Sequence, residues 1–287
     1  MKYFEGFYVK CLGAADSIAV IFGRQSHKDE KSSFIQIITN EKTYSVFHKD
    51  AECIFEYLKF KAKVDKSCAD ERGLFLDINE DGLVAQGRVE FGKFSPIKYD
   101  AMGPLKFFPK MECKHTIISM KHSLNGSITL NGKTYNFDGG VGYIEGDRGC
   151  SFPRKYFWSQ CNFFKSNEED ISICTSAAII PYMGIRFMGT ISVVHFKGKE
   201  YRFATYLGAK VKRIDEKNLI IKQRDKILEI EVLDEKKPLP LHAPDSGKMT
   251  RTIYESLMRN VRYKMTFGKE ILFEFASNVA SHEYSTV

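Results

Sequence analysis

The sequence has almost no tryptophan, and it lacks the long apolar runs that identify membrane-spanning proteins. Its 287 residues include one Trp against 23 Phe and 14 Tyr. The longest wholly apolar run near the start, Ile18 to Phe22, is far shorter than the roughly 20 residues that a membrane span needs. Charged residues at Glu5 and Lys10 interrupt the N-terminal region, so we predict neither a signal peptide nor a transit peptide.

Paired cysteine motifs and the common nucleotide-binding motifs are also missing. The seven cysteines are scattered, odd in number and never spaced as Cys-x-x-Cys, which argues against a disulfide framework and predicts a reducing, cytoplasmic location. We find no Gly-x-Gly-x-x-Gly followed by a helix, no P-loop and no Gly-x-Ser-x-Gly elbow. Rossmann oxidoreductases, P-loop nucleotide hydrolases and α/β-hydrolases are therefore without support.

The composition is that of a globular chain, with 43% hydrophobic and 28% charged residues. The length predicts about two domains or one large all-β unit. The net charge of +7 is concentrated in residues 197–226, where alternating strands would turn their lysines toward solvent. The alternative is peripheral contact of this basic segment with an anionic membrane or an acidic partner. No nucleic-acid-binding motif accompanies the charge, so we do not expect a nucleic-acid partner.

Apolar and polar residues alternate with a period of two along most of the chain, which predicts short β-strands. Asn131-Gly132 between two alternating segments predicts a tight hairpin, because both residues tolerate a positive φ. Strands of this length and spacing are typical of β-barrels and β-sandwiches. The other predicted strands are residues 4–10, 18–22, 34–38, 43–48, 83–91, 156–164, 171–179, 187–196, 200–206, 218–223, 227–233, 261–267 and 271–275, with turns at Asp81-Gly82, Lys197-Gly198-Lys199 and Phe267-Gly268-Lys269.

Helical periodicity is scarce. Residues 51–63 fit either a helix or a strand, and the steps of four from Met249 to Val261 predict a helical turn that leads into a strand. The Gly-rich segment 138–142 is the best candidate boundary between two units, residues 1–140 and 141–287.

The densest set of chemically informative residues begins at Gly142. Glu145 and Asp147 alternate, so in an extended segment they would lie on one face, where one of two neighbouring carboxyls can keep its proton near neutral pH and act as a general acid. A surface turn with both side chains solvated, or with Glu145 bonded to backbone amides, is the structural alternative.

Trp158, Gln160 and Asn162 alternate in the same way and could line a ligand pocket, with the indole as an apolar wall and the amides orienting a polar group. A solvent-facing polar stripe is the alternative.

Glu112, His115 and His122 are weak candidates for metal ligands. No further ligand has a convincing spacing from them, so we expect no metal.

Four blocks together resemble the tocopherol cyclase family and its bacterial relatives. They are Phe4-Glu5-Gly6-Phe7-Tyr8, Phe34-Ile35-Gln36, residues 102–124 with Glu112-Cys113-Lys114-His115, and residues 142–162 with Gly142-Tyr143-Ile144-Glu145 and Trp158-Ser159-Gln160-Cys161-Asn162. The resemblance implies an all-β protein of two lipocalin-like barrel or sandwich units around an apolar cavity, with little helix. It also implies protonation of a prenyl double bond, capture of the carbocation by a phenolic oxygen, and no redox cofactor.

On this resemblance, Glu145 and Asp147 are the candidate catalytic residues. The candidate substrate-binding residues are Glu5, Tyr8, Gln36, Tyr143, Trp158, Gln160 and Asn162. Gly146 and Arg148 stand where relatives usually have Lys and Trp, and Phe7 where they have Trp. An arginine inside the motif would favour ionised carboxylates beside it and disfavour proton donation.

The sequence therefore predicts a cyclase or isomerase that acts on a hydrophobic prenylated or related small molecule. A non-catalytic carrier of such a ligand is the second hypothesis. A scaffold that binds a partner through the basic segment 197–226 is the third.

Overall fold

The computed structural model describes residues 2–28, 30–49, 53–57, 60–80, 82–164 and 170–286. Within these ranges the secondary structure is β-strand, apart from two short 3₁₀-helices at Gly103–Phe107 and Thr205–Leu207. The first twelve strands are β1 (Tyr3–Leu12), β2 (Ser17–His27), β3 (Glu30–Ile38), β4 (Thr43–His48), β5 (Cys53–Glu56), β6 (Lys61–Val64), β7 (Ser67–Asp70), β8 (Gly73–Glu80), β9 (Leu83–Phe91), β10 (Cys113–Leu130), β11 (Lys133–Asn136) and β12 (Gly140–Gly149). The next ten are β13 (Tyr156–Cys161), β14 (Ile171–Tyr182), β15 (Ile185–Phe196), β16 (Lys199–Ala204), β17 (Lys210–Ile214), β18 (Asn218–Gln223), β19 (Lys226–Val232), β20 (Leu239–Asp245), β21 (Lys248–Phe267) and β22 (Glu270–Ser285).

The strands form two antiparallel sheets. The first has the order β4-β3-β2-β1-β12-β10-β9-β8-β7-β6-β5, with β11 paired to β10, and the second has the order β16-β15-β14-β13-β22-β21-β19-β18-β17, with β20 paired to β21. The pairing of β1 with β12 joins the start of the chain to residues 141–149. The all-β fold class predicted from the alternation is confirmed.

The chain divides into two compact units. Unit 1 comprises Met1–Pro96, His115–Ser151 and Leu241–Arg251, and unit 2 comprises Ile97–Lys114, Phe152–Pro240 and Thr252–Val287. These units differ from a single division at residues 140 and 141, because β12 follows that point in sequence and pairs with β1 inside unit 1.

Each unit has its own apolar core. In unit 1, Phe7, Val9 and Ile144 lie in a cluster to which most strands of the first sheet contribute. In unit 2, Phe157 and Cys161 lie in a second cluster with residues from both ends of its sheet. In each of β1, β12 and β13, every second residue therefore packs into the core of its unit. The residues that alternate with them lie on the opposite face of the sheet.

Two local predictions have clear outcomes. The hairpin at Asn131-Gly132 is confirmed, because Leu130 pairs with Lys133 and both turn residues have positive φ, 47° and 85°. The helical turn predicted from Met249 is wrong, because this segment lies within β21. A spacing of four is also an even spacing, so it places residues on one face of a strand as well as on one face of a helix.

The segment that allowed either helix or strand, residues 51–63, contains β5 and β6 where it is described. Ala51 and Asp81 lie outside the described residues. In the basic segment, the exposed side chains are Lys197, Lys199, Lys210, Lys212, Arg213, Lys222 and Arg224, whereas Arg202 is buried against Glu200.

Candidate functional site

Unit 1 contains a buried group of ionisable side chains on the face of the sheet opposite its core. We call His115, Tyr143, Glu145 and Asp147 the acid cluster. Tyr143, Glu145 and Asp147 alternate along β12 and share this face, which the sequence analysis predicted for Glu145 and Asp147. Glu145 is only 6% exposed and Tyr143 is fully buried. The Tyr143 hydroxyl donates to Glu145 Oε2 at 2.5 Å, so the carboxylate is held in one position and is not in bulk solvent.

His115, from β10, lies between the two carboxylates. Its Nδ1 is 3.1 Å from Asp147 Oδ1, and its Nε2 is 3.6 Å from Glu145 Oε2. The imidazole therefore faces one carboxyl group with each of its two ring nitrogens, and a proton on either nitrogen lies between the ring and that carboxyl group.

Arg148 does not lie on the face of the acid cluster. It is one residue beyond Asp147 on β12, so its side chain lies on the core face, where the guanidinium is 4.7 Å from the centre of the Tyr57 ring. Tyr57 in turn donates from its hydroxyl to the carbonyl oxygen of Asp147 at 2.6 Å. The alternation of the strand therefore separates the arginine from Glu145, and the electrostatic effect expected from sequence adjacency is weakened.

Glu5 also lies on the core face, because it alternates with Phe7 along β1. It is 3% exposed, forms an ion pair with Arg24 and accepts a hydrogen bond from Tyr3 Oη at 2.9 Å. The structure thus places Glu5 in an ion pair at one end of the core, apart from the acid cluster on the other face.

Tyr8 lies on the same face as the acid cluster and is paired in register with Glu145. Lys10, which the sequence analysis did not select, is 1% exposed and is paired with Tyr143. Directly opposed residues of this kind have Cβ atoms about 4.5–5.5 Å apart. Lys10 could have been identified in the sequence as a single cation within a predicted strand whose other residues are mostly apolar.

Gln36 is fully buried on β3, and its amide binds backbone. Its Nε2 donates to the carbonyl oxygen of His242, and its Oε1 accepts from the amide of His242, both at 3.0 Å. Ser45 Oγ donates to the same oxygen at 3.1 Å. Gln36 therefore fastens β20 to unit 1, which leaves little of its amide for a ligand.

The stripe predicted on β13 lies in unit 2. Trp158, Gln160 and Asn162 are 6%, 0% and 2% exposed, so they do not form a solvent-facing stripe. Phe157 and Cys161 face the core of this unit. The structure thus divides the candidate residues: Trp158, Gln160 and Asn162 lie in unit 2 and the others in unit 1.

Two buried carboxylates beside this stripe were missed by the sequence analysis: Glu283 on β22, which pairs with β13, and Glu255 on β21, which pairs with β22. Glu283 is paired in register with both Trp158 and Glu255, and it accepts a short hydrogen bond from Tyr156 Oη. Both glutamates are less than 10% exposed. The pairing of β21 with β22 brings them together across 28 residues, which no local pattern could show.

The histidines of the weak metal set have separate surroundings. Whereas His115 is beside Asp147, the Nδ1 of His122 is 3.0 Å from Ser119 Oγ, and its ring packs against Phe91 and Phe94. Burial lowers the pKa of His122 to about 3. His122 is thus a neutral core residue. All seven cysteines are free thiols.

Comparison with known sequences gives one family and distant relatives. The model of the family described as tocopherol cyclase-like matches residues 84–284. A rice (Oryza sativa subsp. japonica) protein named "Probable tocopherol cyclase, chloroplastic" is 30% identical over 115 residues, which are 37% of this chain and 23% of that protein. The chain thus matches less than a quarter of the length of this curated relative.

Comparison with solved structures shows the fold over nearly the whole chain. Kievitone hydratase from Nectria haematococca superposes with a TM-score of 0.56 at 12% identity, covering 99% of this chain and 89% of that one. CghA in complex with Sch210972 superposes with a TM-score of 0.61 at 8% identity, covering 99% and 88%. At these identities the likeness concerns the fold alone, which is lipocalin-like. Among the described residues, no helix is long and apolar enough to cross a bilayer.

Proposed function

The chain belongs to the tocopherol cyclase-like family, and we propose that it binds a hydrophobic prenylated or related small molecule and catalyses its acid-assisted cyclisation. The observation that carries this proposal is the buried Glu145 carboxyl, held by Tyr143 and linked through His115 to Asp147. Such a group can hold one proton in a place from which water is largely excluded.

The acid cluster is costly to the fold, which favours a functional role. Burying carboxylates and an imidazole carries a desolvation penalty, and well-packed apolar residues in their place are often equally stabilising. A role in stability alone therefore explains the cluster poorly. A role in proton transfer explains why the charged groups face one another in a buried site.

The reaction needs one proton and returns it. Glu145 donates a proton to the prenyl double bond, and the phenolic oxygen bonds to the resulting tertiary carbocation. The phenolic O–H bond then breaks, and its proton returns to the carboxylate, so that the product is an isomer of the substrate. His115 faces the Glu145 carboxylate between the two proton transfers, and Asp147 orients the imidazole, as a third group orients the base in other catalytic sets.

Replacement of Glu145 by Gln tests this proposal. Glutamine keeps the shape and an acceptor for the Tyr143 hydroxyl but cannot donate a carboxyl proton. We expect turnover of a prenylated hydroquinone to fall by about 10²- to 10⁴-fold, while the Kd for the same compound changes less than the turnover. Product is measured by chromatography and Kd by isothermal titration calorimetry.

The matched control is Glu200→Gln in unit 2. Glu200 is also buried and is 3.1 Å from a histidine nitrogen, that of His195, but it lies outside the candidate site. Turnover should survive this change. Equal loss of turnover in both variants, or full turnover by Glu145→Gln, would contradict the assignment of Glu145 as the proton donor.

A non-catalytic carrier is the second candidate, and one contact favours it. The 2.5 Å distance from Tyr143 Oη to Glu145 Oε2 is typical of a hydroxyl bound to an ionised carboxylate, which is not a proton donor. A carrier would bind the hydroquinone without converting it, and Glu145→Gln would then leave its measurable functions intact.

A further inference from the structure

Unit 2 presents an exposed apolar surface formed by two separate segments. Phe107 and Phe108 lie at the end of the first 3₁₀-helix. Met183 lies in the turn between β14 and β15, and Ile185 is the first residue of β15. The rings of Phe108 and Tyr182 are 5.4 Å apart, which joins the two segments. We call Phe107, Phe108, Met183 and Ile185 the apolar tip.

The apolar tip is more exposed than large hydrophobic side chains usually are. Met183 is 80% exposed, Phe107 77% and Ile185 63%, the three highest values among the large hydrophobic residues that the structure describes. Single exposed apolar residues are ordinary, but several in one patch mark an interaction surface.

The turn holds its residues in a fixed position. Tyr182 pairs with Ile185, and the two residues between them, Met183 and Gly184, have positive φ of 48° and 86°. This is the geometry of a two-residue hairpin turn of the kind that suits twisted strands. The apolar side chains therefore project from a defined hairpin.

Cationic side chains lie in the same two segments as the apolar tip. Lys106 Nζ is 5.0 Å from the centre of the Phe107 ring, and Lys114 Nζ donates to the carbonyl oxygen of Lys106 at 2.7 Å. Lys110 and Arg186 are exposed in the same two segments. The acidic groups of these segments are Asp100, 3.9 Å from Lys106, and Glu112, so the cations are in excess.

We propose that the apolar tip inserts into the surface of an anionic lipid bilayer. The surface of such a bilayer has a layer of lipid phosphates above the acyl chains. Apolar and aromatic side chains flanked by lysines match it, because the apolar groups enter the boundary of the acyl chains while the lysines contact the phosphates. The charge excess favours this occupant over an apolar protein surface. The proposal does not depend on the chemistry at Glu145 and holds for a cyclase and for a carrier.

The experiment is co-sedimentation of the full chain with vesicles. The probes are vesicles of phosphatidylcholine with about one third phosphatidylserine, and vesicles of phosphatidylcholine alone. We expect binding to the anionic vesicles that weakens with added salt. The triple variant Phe107→Ser, Met183→Ser, Ile185→Ser should lower the partition coefficient by at least about tenfold, because each apolar side chain contributes to insertion.

The matched control is Phe267→Ser with Ile271→Ser at the turn between β21 and β22. These side chains are 51% and 57% exposed but belong to a different hairpin of unit 2. The control should bind the anionic vesicles as the unmodified chain does. Circular dichroism of each variant establishes that it is folded.

Three outcomes would overturn the proposal. They are absence of binding to anionic vesicles, equal loss of binding in the control, and self-association of the unmodified chain in sedimentation velocity that the triple variant abolishes. The last would make the apolar tip an interface between two copies. None of these readouts measures turnover, so failure here is distinct from failure of the proposed function.

Discussion

At the scale of the residue, His122 shows how a buried titratable group acts on stability without taking part in the candidate site. Its ring is 3% exposed and packs between Phe91 and Phe94. Nδ1–H donates to Ser119 Oγ, which in turn donates to the carbonyl oxygen of Lys121 at 3.1 Å. Burial lowers the pKa of His122 to about 3, so the folded protein keeps the ring neutral throughout the physiological range.

We predict that this histidine makes the protein less stable as the pH falls. An unfolded histidine has a pKa of about 6.5, above the folded value, so the unfolded chain binds the proton first. The stabilising contribution is complete above pH 6.5 and is lost as the pH falls toward 3. Urea unfolding of His122→Asn should show a shallower dependence on pH between 6 and 4, by about 1 kcal/mol per pH unit.

His242→Asn serves as the comparison, because the His242 side chain is exposed. It should unfold with the same pH dependence as the unmodified protein. Parallel curves for the unmodified protein and His122→Asn would contradict the prediction, because they would show that His122 binds its proton over the same pH range in the folded and the unfolded chain. His282, whose pKa burial lowers to about 4, acts in the same direction and remains in both variants.

The residues of the acid cluster differ in how far sequence could predict them. Tyr143, Glu145 and Asp147 share a face because of alternation, which is local and was predictable. His115 reaches Asp147 across 32 residues through the pairing of β10 with β12. The register of that pairing is not encoded in any short segment, so the partner of Glu145 could not be predicted from the sequence. The same alternation places Arg148 and Glu5 on the other face, a separation that adjacency in sequence conceals.

At the scale of the element, β20 is fastened to unit 1 by side chains rather than by a ladder to β3. Gln36 binds both backbone groups of His242, and the turn after β20 is bound through Gly247, whose amide donates to the carbonyl oxygen of Cys150 at 2.7 Å. His27 Nδ1 is 2.8 Å from the carbonyl oxygen of Ser246. β20 thus pairs with β21 as a strand, and a buried amide side chain supplies its hydrogen bonds to β3.

We predict that Gln36→Leu loosens β20 while most of unit 1 stays folded. Leucine has a similar size but leaves the amide and carbonyl of His242 without their partners, at a cost of about 1–3 kcal/mol. Hydrogen exchange measured by mass spectrometry should become faster in residues 239–251. Gln86→Leu is the control, since Gln86 is exposed and its Nε2 donates to Asp77 Oδ1 at 3.2 Å. Unchanged exchange at residues 239–251 in Gln36→Leu would show that the turn contacts suffice.

Strands were predictable from sequence where a turn signal bounded them, and less so elsewhere. The hairpins at Asn131-Gly132, Lys197-Gly198 and Phe267-Gly268 are all formed, because each glycine takes a positive φ that other residues disfavour. Strands β7 and β8 were missed, and β5 and β6 lie in a segment that fitted either a helix or a strand. β5, β6 and β7 have only four residues each, which is too short for an alternating pattern to be distinctive. In β21, Ile253 and Leu257 satisfied the helical and the strand period together, so that periodicity could not distinguish the two.

At the scale of the whole molecule, the basic segment and the apolar tip are two different surfaces of unit 2. In the segment 197–226, the exposed side chains are mainly lysine and arginine, as at Lys210 and Lys212. Contact of this segment with a membrane or an acidic partner stays a prediction, and such a contact would be lost with added salt. The apolar tip would retain part of its affinity in salt, because insertion of apolar groups is not screened.

Whether the protein carries a ligand or converts one is a question about the whole chain. Identification of its natural ligand can distinguish the two functions. We predict that protein purified from its own host and examined by native mass spectrometry retains a hydrophobic small molecule in addition to the 32.9 kDa chain. Extraction with organic solvent and accurate mass then identify its class.

A cyclase purified as Glu145→Gln should hold the open-chain substrate, whereas the unmodified enzyme should hold the cyclised product of equal mass, and chromatography separates the two. A carrier would hold one and the same compound in both forms. Absence of any co-purifying hydrophobic molecule from both proteins would contradict the cyclase and the carrier together, because each requires that the chain take up such a ligand.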